Sequence, residues 1–212
     1  MNDPTEGVLY KFLDGISNLV IINLLWILFT ILGGVIFGWA PATIAMFTIY
    51  RNRAQGNKDQ SNIKAMWQTY KHEFIRANLV GNVMLIAGAS LLFYGFTLRQ
   101  WQGVYGLLMW VIFVFTAFVY LLVLAFIFPV FIHYKIKFVE YFRYALMIGL
   151  SHLFHAIIIL GIVGLFFWVS SLWIQFYILM TFSLSAFFVT YISMAVFNRI
   201  EYKQEKNEHQ ED

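Results

Sequence analysis

Long uncharged apolar runs alternate along the chain with short polar segments that hold most of its charge. The first run, Ile16 to Tyr50, contains no acidic or basic residue. At about 35 residues it is too long for one crossing of a bilayer core, for which ~20 residues suffice. Gly33, Gly34 and Gly38 loosen the backbone ahead of Pro41, which cannot donate to the helical ladder. The pattern predicts a helix over 16–39, a break between Gly38 and Pro41 and a short antiparallel helix over 42–53, with Pro41 suited to a first turn. The alternative is one continuous kinked helix.

The segment Arg51–Arg76 is polar, and Gln55-Gly56-Asn57 reads as a helix stop. From there Ile63, Met66, Trp67, Tyr70 and Phe74 recur at helical spacing. They predict an interfacial helix, aromatics towards lipid and bases towards water; the plainer alternative is a solvated extension of the next span. Further spans are predicted over 77–98, 104–134, 144–171 and 176–198, followed by a solvated tail over 199–212. The 104–134 run would be ~46 Å long as a helix, so it must tilt, kink near Pro129 or protrude. Segments 71–93 and 143–167 both lead from a basic, aromatic start into a glycine-containing span, which hints at two similar helical hairpins. The fold class is therefore all-α: one membrane domain over 1–212, a polytopic transmembrane helix bundle of five full spans plus one short helix after Pro41.

Composition agrees. Hydrophobic residues make up 61% of the chain and charged residues 12%, against ~45–50% and ~25% in soluble domains. There is no cysteine, hence no disulfide, thiolate metal site or cysteine nucleophile. The net charge of +3 does not imply nucleic acid, because the bases sit in short loops between apolar runs. Six fall in Arg51–Arg76, three in Lys135–Arg143 and three in the tail, against one in the Arg99 turn and none in Ser171–Gln175. The positive-inside rule then predicts a multi-pass membrane protein with its rich loops and both chain ends in the cytoplasm. The acidic start, with Asp3, Glu6 and Asp14 against Lys11, does not resemble a cleavable signal, so the N-terminus is expected to be retained.

No Asp, Glu, Lys or Arg lies in the centre of a predicted span, which weakens a proton-coupled pump or a carrier of charged solutes. His152 and His155 share a helix face and have metal-ligand chemistry, but no third ligand stands at fixed spacing, and the favoured reading for them and for His133 is hydrogen bonding near the interface. Asn18, Asn23, Asn78 and Asn82 form two pairs at near-helical spacing. They are read as amides joining helices, with a polar cavity lining as the alternative. Gly34 and Gly38 have GxxxG spacing, a weak sign of close helix contact. No phosphate-binding glycine loop, zinc helix motif or nucleophile elbow is present, so no catalytic, cofactor or metal site is expected.

The first hundred residues carry a more specific pattern. Asn23, Leu24 and Trp26 lie in the first helix, Gly38-Trp39-Ala40-Pro41-Ala42-Thr43 forms the turn, and Trp67, Tyr70-Lys71 and Phe74 form an aromatic-basic lead-in. Together they resemble the YesL-like family of bacterial membrane proteins. The chain departs from it at the turn, where two residues separate the glycine from the proline. The family's function is unknown; its members, mostly in Firmicutes, are often encoded near carbohydrate-uptake transporters and sensor kinases. The resemblance therefore implies a non-enzymatic accessory role, with the lipid bilayer and an ABC sugar transporter or sensor kinase as partners. The alternative is a transporter or channel subunit for a neutral small solute, and either role leaves room for homo-oligomers.

Overall fold

In a computed structural model the described residues, 4–57 and 61–211, form helices joined by short turns. These are α1 (Pro4–Leu32), α2 (Trp39–Ala54), α3 (Asn62–Leu98), α4 (Gly103–His133), α5 (Phe138–Ser151), α6 (Leu153–Leu172), α7 (Ile174–Leu179) and α8 (Thr181–Glu211). Among the described residues five stretches are long and apolar enough to cross a membrane: Leu13–Leu32, Asn62–Leu98, Gly103–His133, Leu153–Leu172 and Thr181–Lys203. The molecule is thus an all-α polytopic membrane bundle.

The end of α1 follows from its glycines. Val35 N–H donates to the Thr30 carbonyl and Gly34 N–H to that of Ile31, both at 2.9 Å. This pair of bonds closes a helix through a left-handed residue, and Gly34 has φ +72°. A Cβ on Gly33 would lie 2.4 Å from Gly38 Cα, and one on Gly38 2.1 Å from the Thr30 carbonyl oxygen. The break therefore spans Gly33–Gly38, earlier than expected, and α2 begins at Trp39, with Pro41 in its first turn as the sequence suggests. The GxxxG glycines belong to this reversal, not to a helix–helix face. The two helices run antiparallel: Trp26 meets Thr43, and Asn18 meets Arg53.

At 16 residues, or about 24 Å, α2 is shorter than α1, α3, α4 and α8. It is also the most buried. Every residue from Ala40 to Tyr50 except Thr48 is buried, and α2 packs against α1, α3, α4 and α8. Small residues allow the approach: a Cβ on Gly81 of α3 would lie 2.3 Å from Ala40 Cβ.

Three expectations about element bounds are corrected. The lead-in Ile63–Phe74 is not a separate interfacial helix but the first part of a 37-residue α3. Nothing between Asn62 and Leu98 breaks a helix, and Met66 and Tyr70 turn inwards, with Tyr70 5.1 Å from Phe29. The span over 144–171 is two helices. Backbone torsions at His152, φ −127° and ψ 48°, divide α5 from α6. The last span is likewise divided at Met180, and α8 continues helically through the tail to Glu211, as its run of Glu, Lys and Gln favours. Both anticipated hairpins form, α3 with α4 and α5–α6 with α8, but only the first begins with an unbroken helix.

Candidate functional site

The polar side chains that converge most clearly do so at a half-open cavity of about 410 Å³ between α2, α3, α4 and α5. Helical spacing explains the lining. Ile44, Thr48 and Arg51 form one stripe of α2, and Gln68, Thr69, His72, Glu73 and Arg76 one stripe of α3. Phe131 and Ile132 end α4, Lys135 lies in the loop that follows, and Tyr141 stacks on Phe131 at 4.8 Å. Arg51 donates through Nη1 to the Ile132 carbonyl, which caps one of the free carbonyls at the end of α4. Its Nε is buried without a partner among the described residues. Glu73 faces His72 Nδ1 at 2.7 Å and Arg76 Nη1 at 3.9 Å. Among the described residues the cavity thus gathers the bases Arg51, Arg76 and Lys135 and the carboxylate of Glu73.

None of the residues singled out in the sequence lines this cavity. Asn18 Oδ1 accepts from Arg53 at 2.8 Å and from Asn62 at 3.2 Å, which ties together α1, α2 and α3. Asn23 Nδ2 donates to the Ile178 carbonyl at 2.6 Å, while its Oδ1 accepts from Ser183 N–H at 2.9 Å. Both backbone groups are left free by the α7–α8 break, so one amide satisfies both of its ends. Asn78 Nδ2 donates to the carbonyls of Phe37 and Phe74, pinning the α1–α2 turn on α3. Asn82 Oδ1 is buried without a partner among the described residues.

His152 and His155 meet edge to face, 5.8 Å between centroids. No group of three or more metal-ligating side chains occurs among the described residues. His152, at the α5–α6 break, is held below the ordinary imidazole range by burial first, then by His155, Lys203 and Arg199. His133 instead pairs with Glu201 at 2.8 Å, joining α4 to α8.

The lining bases and Glu73 were visible in the sequence only as charges that orient the loops. Their stripes on α2 and α3 were available signals, but the third wall depends on where α4 and α5 pack.

The residues behind the family resemblance acquire roles here. Trp26 donates its indole N–H to Thr43 Oγ1 at 3.0 Å, Thr43 donates to the Trp39 carbonyl, and Phe182 stacks on Trp26 at 3.9 Å. The Asn-Leu-x-Trp helix and the Pro-Ala-Thr turn are thus two sides of one contact.

Comparison with known proteins agrees. The family described as "Protein of unknown function, DUF624" matches residues 19–96, which run from α1 through α2 to the end of α3. Three uncharacterized proteins of Bacillus subtilis (strain 168) are similar. YteU is 31% identical over 167 residues, 78% of this chain and 75% of its own length. YesV is 30% identical over 159 residues, 70% and 72% of the two chains. YesL is 30% identical over 201 residues, 93% of each. No solved structure matches. With relatives aligned over most of their length and the motif contacts in place, the chain belongs to the YesL-like, DUF624 family of membrane proteins of unknown function.

Proposed function

We propose that this chain is a non-enzymatic accessory protein of the bacterial plasma membrane, working beside a carbohydrate-uptake or sensing system, with its base-rich loops and both ends in the cytoplasm. The observation that carries the reading is the packing of α2. Its residues from Ala40 to Phe47 are all buried at the centre of the bundle, so the centre is filled by side chains. Asn23 and Asn78 bond backbone carbonyls there, as helix-joining amides do. This favours an interaction role over carriage of a neutral solute, which needs a polar path. The family resemblance supplies the setting, a sugar transporter of the ABC type or a sensor kinase. Affinity purification from the native host in mild detergent, after brief cross-linking, tests it. Enrichment of such a transporter or kinase over an untagged control is expected. Its absence across several mild detergents would overturn the proposal.

A further inference from the structure

We infer that the cavity between α2, α3, α4 and α5 binds a phosphate ester, with the half-buried Arg51 as its anchor and Arg76 and Lys135 at its rim. Arg51 is fixed by its bond from Nη1 to the Ile132 carbonyl, yet its Nε is buried and unpartnered among the described residues. Nη1 is taken by Ile132 and Nε is out of reach of the cavity, which leaves Nη2 to donate a charge-assisted bond to a phosphate oxygen. Arg76 and Lys135 bring two more positive charges to the same space, both on exposed side chains. Among the described residues of the lining Glu73 is the one opposing carboxylate, and His72 and Arg76 already engage its oxygens. Among the described residues of the lining, three bases less one acid leave a formal charge of +2 from Arg, Lys and Glu, which suits a phosphate dianion. A volume of about 410 Å³ exceeds what inorganic phosphate fills, and Gln68 and Thr69 offer an amide and a hydroxyl to the carbon part of an ester.

The shared chemistry is a phosphate esterified to a small polyol, whether free in solution or as a phospholipid headgroup. This goes beyond the accessory role and does not depend on it.

The test uses the full-length protein. One arm titrates glycerol 3-phosphate calorimetrically in neutral detergent. The other measures, by native mass spectrometry, the lipid retained from nanodiscs of equal phosphatidylglycerol and phosphatidylcholine. Saturable binding in the first arm identifies a soluble ester; selective retention of phosphatidylglycerol in the second alone identifies a headgroup. In whichever arm responds, Arg76→Gln and Lys135→Gln should each weaken binding about tenfold, and Arg51→Gln should abolish it. Because Arg51 also holds Ile132, the two rim variants carry the test should Arg51→Gln fail to fold. Lys71→Gln is the control: Lys71 lies over the Trp67 ring at 4.8 Å, outside the cavity, and its loss should leave binding unchanged. Binding in neither arm, or equal weakening by Lys71→Gln and the rim variants, would overturn the inference.

Discussion

Asn23 is fully buried, and its amide serves two backbone groups that no helix can satisfy, the Ile178 carbonyl and the Ser183 N–H. Asn23→Leu keeps the branched shape but leaves both unpaired. It should cost about 1–3 kcal/mol, read as a lower midpoint of thermal unfolding in detergent. His152→Ala should cost less, under about 1 kcal/mol, since His152 is only half-buried and neither ring nitrogen has a hydrogen bond among the described residues. Equal losses for the two variants would contradict this ranking. The amide reading of Asn23 was legible in the sequence, because a polar group in an apolar helix must find a partner. Its partner was not. Spacing paired Asn23 with Asn18, whereas the structure sends Asn18 to Arg53 and Asn23 to a break some 160 residues away.

Among the elements, the α1–α2 reversal was legible because glycine and proline punctuate it, and Gly34 takes the left-handed conformation that ends α1. Gly34→Val should cost about 1–2 kcal/mol for its positive φ, while Gly34→Asn, a residue at ease in that region, should cost less. Open space surrounds Gly34, so the difference isolates backbone strain. The yield of monodisperse protein and its thermal midpoint check both, and equal behaviour of the two variants would contradict the turn. The breaks at His152 and Met180 were not legible, because no proline marks them. They accompany packing from elsewhere in the chain: a Cβ on Gly149, just before the first, would meet Leu122 of α4 at 3.2 Å, and Asn23 bridges the second. Conversely, the polar lead-in of α3 looked like a separate helix because its composition changes at Ala77, yet helical hydrogen bonding takes no account of that change.

At the scale of the molecule, an apolar chain with loops of alternating charge was enough to indicate a multi-pass bundle. The cavity was not legible, since its cations at positions 51, 76 and 135 come from two polar segments that serve equally well to orient the chain. The whole arrangement turns on α2 returning antiparallel to α1, which brings Asn62 of α3 back beside Asn18 of α1. The absence of cysteine makes this directly measurable. Single substitutions Thr5→Cys, Asn57→Cys, Gln102→Cys and Lys206→Cys can be challenged with a membrane-impermeant maleimide, in intact and in permeabilised cells. Gln102→Cys should label in intact cells, and the other three only after permeabilisation. Labelling of Thr5→Cys in intact cells while Asn57→Cys stays protected would mean that α2 does not carry the chain back across the membrane.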